Sequence, residues 1–152
     1  MTMPRAIDFL GIGGIGMSAL ARWALAQGMS VSGYDKTPSP LTDALRAEGA
    51  RVRFDDRPEA APADTTAWVI YTPAIPAQHP QLRQALERGQ TVMKRAAFLG
   101  MLANDGTCLA VAGTHGKTTT SCLLTWILHQ SGRPVQAFLG GISSNLQSNF
   151  LP

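Results

Sequence analysis

Apolar residues come in two kinds of short run along the chain. Some recur three and four apart, as Leu20, Ala21, Ala24 and Leu25 do, or Leu41, Ala44 and Leu45, which places one face of a helix against a core. Others are brief, continuous and rich in β-branched or aromatic residues, and read as buried strands. One pattern recurs four times, at Gly28/Val31, Gly49/Val52, Gly89/Val92 and Gly132/Val135: an amphipathic run, a glycine, two residues, a valine. Glycine just past a helix adopts the left-handed conformation without a Cβ clash, and valine favours the pleated strand. Each instance predicts a helix stop followed by a strand. Strands are expected near residues 6–10, 30–34, 51–54, 68–71, 91–93, 108–112 and 135–138, with helices between most of them. Ser39-Pro40 and His79-Pro80 mark two helix starts, with proline at the first helical position. This alternation predicts an α/β fold, a parallel sheet with helices on both faces.

Two stretches interrupt the pattern. Residues 55–64 are acidic and proline-rich and read as an exposed loop inside the first domain. Asn104-Asp105-Gly106 is a turn-forming tripeptide after a short helical run, and it predicts a domain boundary. Residues 1–104 would form one domain and residues 105–152 the beginning of a second, since too little chain follows for an independent α/β domain.

The chain of 152 residues is 45% hydrophobic and 15% charged, enough apolar material for a packed core, which argues for a soluble globular protein and against disorder. Its 13 basic and 10 acidic residues leave a formal charge of +3, and the basic residues are scattered, with no stripe that would follow a nucleic-acid backbone. The small excess suits a cleft for phosphates and equally an ordinary surface. Cys108 and Cys122 show no metal-ligand spacing and are expected to be free, packed thiols in a reducing compartment. The apolar stretch 9–29 is broken by glycines, Arg22 and Gln27, so it predicts neither a signal nor a membrane span, and a cytoplasmic location is expected.

Chemistry concentrates in two glycine loops. Gly11-Ile12-Gly13-Gly14-Ile15-Gly16 follows an apolar strand and opens a helix, the setting in which Gly-x-Gly-x-x-Gly binds a nucleotide diphosphate. Glycines permit the tight turn and close backbone approach, and the helix's unpaired amides favour negative charge. Asp35, at the end of the next strand, is placed to accept hydrogen bonds from a ribose. The plainer alternative is a close turn, with Asp35 capping the loop that follows it.

The second loop, Gly113-Thr114-His115-Gly116-Lys117-Thr118-Thr119, lies between an expected strand and helix. It keeps Gly-Lys-Thr at the turn, although Val111 stands where a P-loop has its first glycine. Backbone amides of residues 113–117 can cradle phosphate oxygens, Lys117 can meet the β- and γ-phosphates, and the Thr118 hydroxyl can join the shell of Mg2+. A surface lysine is otherwise poorly placed at a helix start. The following helix carries Leu123, Leu124, Ile127 and Leu128 at core-facing spacing. Trp23, Trp68 and Trp126 read as packing residues, and His129 as a solvated residue near a helix end.

Taken together, Gly11–Ser18, Ser32-Gly33-Tyr34-Asp35, Thr72-Pro73-Ala74-Ile75, Arg95-Ala96 and Gly113–Thr120 resemble the Mur ligases in order and spacing over nearly the whole chain. The resemblance implies a Rossmann-like first domain for the UDP part of the substrate and the start of a P-loop ATP-binding α/β domain. A carboxy-terminal amino-acid-binding domain and part of the Mg2+ site would be absent, so the chain alone is not expected to ligate. Carried over by position, Gly13, Gly14, Ile15, Gly16 and Met17 would contact the diphosphate, Asp35 and Thr72, Pro73, Ala74 and Ile75 would line the nucleotide cleft, and residues 113–119 would hold ATP. The family reaction activates a muramyl carboxylate as an acyl phosphate, which an amine then attacks. The histidine in the second loop and the sequence of the first look like the family member that joins L-alanine to UDP-N-acetylmuramate; a tripeptide-recycling relative is the nearest alternative. His79-Pro80-Gln81 departs from a more usual Asn-Pro-Glu, and Ala97 from a glutamate. Outside the family, an NAD-dependent oxidoreductase would leave Gly116-Lys117-Thr118 unexplained, a plain P-loop kinase would leave the first hundred residues unexplained, and a non-enzymatic UDP-sugar sensor stays open.

Overall fold

The computed structural model describes residues 3–152. The elements are β1 (Ala6–Leu10), α1 (Ile15–Ala26), β2 (Ser30–Tyr34), α2 (Pro40–Ala47), β3 (Arg51–Arg53), a short 3-10 turn at Pro58–Ala60, β4 (Trp68–Tyr71), α3 (Pro80–Glu87), β5 (Val92–Lys94), α4 (Arg95–Ala103), α5 (Lys117–Gln130), β6 (Ala137–Ser143) and β7 (Ser148–Leu151). The first five strands form a wholly parallel sheet in the order β3-β2-β1-β4-β5. That is the Rossmann-like order, with its topological switch point between β1 and β4.

The pleat sorts the core onto two faces. Ile7 and Phe9 of β1 belong with Met17, Leu20, Ala21 and Ala24 of α1 on one side. Burying each large apolar side chain contributes roughly 1.5–3 kcal/mol, which is why α1 lies flat on the sheet. Phe98 of α4 closes this core edge-on against Trp23 at 5.6 Å and Trp68 at 6.4 Å, so those two tryptophans are packing residues. Leu10, Tyr34, Val69, Leu82 and Ala85 form the smaller core on the other side. Asp8 is buried on that face and is matched there: Ser32 Oγ donates to it at 2.7 Å and Arg53 donates twice, each at 2.7 Å. Gln81 of α3 accepts from Arg53 and donates to the carbonyls of Asp55 and Arg57, tying the proline-rich loop to the sheet.

The glycine pattern is a set of helix stops. Gly28, Gly49, Gly89 and Gly132 have φ of 74°, 107°, 67° and 72°. At the first, the amides of Gly28 and Met29 reach back to Leu25 and Ala24 carbonyls, closing the helix end. Pro40 and Pro80 are the first residues of α2 and α3, and Ser39 and Thr42 form a capping box.

Four expectations are corrected. Residues 108–112 are not a strand: no described segment pairs with them, and without a ladder partner an apolar run stays extended and open. Cys108 is therefore exposed, not packed; Cys122 is half-buried, and both are free thiols. In α5, Leu123 and Ile127 are 56% and 63% exposed, while Thr125 is the buried residue, because the helix meets β6 along its threonine side. The strand expected at 135–138 begins at Ala137 and runs on as β6 to Ser143, and the chain returns in an antiparallel hairpin through β7, which packs on α1. Among the described residues no helix is long and apolar enough to cross a membrane.

Candidate functional site

The first loop leaves β1 at the centre of the sheet, where β1 lies between β2 and β4. Tyr34 O accepts from the amides of both Gly11 and Ile12, at 2.7 and 3.0 Å, and so anchors the turn to β2. Gly11 has a φ of 87°, and a Cβ there would lie 2.4 Å from Thr72 Cγ2. The segment after β4 thus lies directly against the loop, bringing Thr72 and Ile75 to it, with Pro73 and Ala74 exposed at the rim. Asp35 is closer still: its Oδ2 accepts from Gly13 N at 2.7 Å, and its Oδ1 from Thr37 N at 3.4 Å. Asp35 therefore holds the loop's own backbone and caps the turn that follows it.

Gly14 is the N-cap of α1 and has no side chain to satisfy the first turn. The amides of Ile15 and Gly16, at the first two helical positions, have no intrahelical acceptor, and they share the positive end of the helix dipole. Met17 is placed differently from its neighbours. Its side chain is buried in the core and its amide donates to Gly14 O at 2.9 Å, so it supports the cradle from behind.

Arg95 joins this cluster. A Cβ on Gly16 would lie 2.2 Å from Arg95 Nη1, so the guanidinium rests on the glycine's open face. Among the described residues no carboxylate lies within ion-pair distance of it. The sequence signal was an arginine opening the helix after the last parallel strand, but only the fold shows that β5 delivers it to the mouth of the loop.

The second loop is a separate feature. Gly113 and Gly116 have φ of 148° and 76°, and Gly116 caps α5 at its N-terminus. Lys117 folds back so that Nζ donates to the carbonyls of Gly113 and Thr114 at 2.7 and 3.1 Å. The ammonium is thereby held over the loop. Thr114, His115 and Thr119 are exposed, and Thr118 stands against Gly140 and Gly141 of β6, where added Cβ atoms would lie 3.2 and 3.0 Å from it. Among the described residues no group of three acidic, histidine or cysteine side chains could hold a metal ion.

His79, the N-cap residue of α3, is buried with both ring nitrogens unpartnered, and its ring tilts against Tyr34 at a centroid distance of 4.8 Å. Burial pushes its pKa below the usual histidine value; Asp56 opposes this and Arg53 adds to it.

A parallel sheet with a glycine loop and a cation at its switch point defines a Rossmann-like nucleotide-binding architecture. The chain belongs to the Mur ligase family, whose catalytic-domain model matches residues 6–107. It is 51% identical over 151 residues to a UDP-N-acetylmuramate–L-alanine ligase of Porphyromonas gingivalis, covering 97% of this chain and 33% of that protein. The chain therefore spans about a third of the length of the curated relatives it matches. Its structure is similar to that of UDP-N-acetylmuramate-alanine ligase from Thermotoga maritima, with a TM-score of 0.88 at 29% identity over 95% of this chain and 34% of that one. It is also similar to the UDP-N-acetylmuramate:L-alanyl-gamma-D-glutamyl-meso-diaminopimelate ligase of Neisseria meningitides, with a TM-score of 0.88 at 27% identity over 98% of this chain and 46% of that one.

Proposed function

We propose that residues 1–104 bind the UDP part of UDP-N-acetylmuramate and that residues 105–152 begin the ATP site of a cytoplasmic ligase joining L-alanine to that sugar in peptidoglycan precursor synthesis. The observation that carries the reading is the convergence, at Gly16, of free first-turn amides and the unpaired Arg95 guanidinium. A diphosphate seated there meets backbone donors on one side and a fixed planar cation on the other. Asp35 and Thr72–Ile75 flank that seat and form the walls of the nucleoside cleft. Identity to the alanine-adding ligase of Porphyromonas gingivalis, 51%, favours alanine over a tripeptide as the added group.

Bound ATP with Mg2+ supplies the phosphoryl group that activates the sugar's carboxylate. Lys117 is placed to leave the Gly113 and Thr114 carbonyls for the terminal phosphates, and the exposed Thr118 hydroxyl is free for the cation's shell. Both groups act by position and charge: held on a helix start, they neutralise anionic oxygens without reorganising.

Calorimetric titration of the chain with UDP-N-acetylmuramate, with NADH as control, tests the first site. The sugar nucleotide should bind and NADH should not. Arg95→Met should weaken binding at least about tenfold, the loss expected for a hydrogen bond to a charged group. Binding of NADH alone would overturn the reading in favour of an oxidoreductase.

A further inference from the structure

The hairpin of β6 and β7 lies between the two loops and touches both. At one end, Gly140 and Gly141 abut Thr118 in the first turn of α5. At the other, Asn149 of β7 is fully buried against the first turn of α1. Its Nδ2 donates to Ile15 O at 2.6 Å and to Ser18 Oγ at 2.9 Å, and Ser18 Oγ itself donates to Ile15 O at 3.0 Å. Its Oδ1 accepts from Arg22, whose guanidinium also donates to Glu48 at the end of α2.

Docking alone does not require this arrangement. Phe150 already anchors the hairpin in the main core, and Phe138 packs on it at 5.3 Å. A fully buried amide needs partners, and Asn149 finds them on the residue whose amide opens the diphosphate cradle. Resting on the function proposed above, we infer that Asn149 is a positioning residue that fixes the first turn of α1 and makes phosphate affinity at the first loop depend on what occupies the second. The path is short: Thr118 lies against the glycine pair of β6, that pair sits in the irregular stretch of the hairpin between the Phe138–Phe150 and Ser143–Ser148 pairs, and Asn149, which faces the same stretch from β7, bonds Ile15. Displacement of Thr118 by a ligand on α5 shifts the hairpin, and Asn149 passes that shift to the amides of Ile15 and Gly16. By linkage the effect runs equally in the other direction.

The test titrates the chain with UDP, in the absence and presence of Mg2+ and a non-hydrolysable ATP analogue. The analogue should change UDP affinity about fivefold or more, the lower end of ordinary coupling between sites. Asn149→Asp keeps an acceptor for Arg22 but removes the donor to Ile15 and Ser18. It should lose the coupling, and Gly141→Ala, which leaves the Asn149 bonds in place, separates that loss from any loss of stability. Gly141→Ala, which crowds Thr118 from the other end, should reduce the coupling while leaving UDP affinity without the analogue unchanged. If UDP binds but the analogue does not move its affinity, or if Asn149→Asp couples as the parent does, the inference is overturned. If UDP does not bind the parent chain, the proposed function fails and this inference falls with it.

Discussion

His79 shows what a single side chain can set. The folded chain holds its imidazole neutral, because burial lowers its pKa below the unfolded value of 6.5. Protonation therefore favours the unfolded chain: the neutral ring's full contribution is present above pH 6.5 and is lost as pH falls through that value toward the folded pKa. Urea denaturation at pH 7.5 and pH 5.5 should show a smaller acid loss of stability in His79→Asn than in the parent. Arg53 is the opposite case, a cation whose removal strands an anion. Arg53→Met leaves buried Asp8 with Ser32 alone and should cost about 3–5 kcal/mol, measured by the same denaturation. Neither fact was legible in the sequence. Asp8 and Arg53 look like any strand charges until the β1–β2–β3 order brings them together, and the orphaned nitrogens of His79 depend on how α3 packs.

Elements were far more legible, because the signals that set them are local. Four glycines took the left-handed conformation their spacing predicts, and two prolines opened their helices. Gly28→Ala isolates that backbone effect, since a Cβ at Gly28 meets nothing within 4 Å. The left-handed φ alone should cost roughly 1–2 kcal/mol in urea denaturation. The misread elements are those whose identity depends on a partner. Residues 108–112 are apolar enough for a strand but have no described neighbour, and the β6–β7 hairpin was hidden because Gly140 and Gly141 interrupt its alternation. The face of α5 carrying Leu123 and Ile127 has helical spacing, yet spacing does not say whether anything covers it.

At the scale of the molecule, both loops were found from sequence, because glycine spacing and a strand-to-helix turn are features of neighbouring residues. Of what closes around them, the family resemblance named Thr72–Ile75 and the Arg95 motif, but not the contacts they make, and it did not name Asn149. Thr72 against Gly11, Arg95 on Gly16 and Asn149 beneath Ile15 are contacts between distant parts of the chain, supplied by the sheet order and the docked hairpin. The central pairing, Ile7 with Trp68 through Leu10 with Tyr71, has a consequence for synthesis. On a ribosome the glycine loop emerges early, but the wall that faces it, and the arginine that meets it, emerge only after β4 and β5. A nascent chain therefore carries the loop for much of its elongation without its finished surroundings, which come into being when the strand from the middle of the chain slots in beside the first.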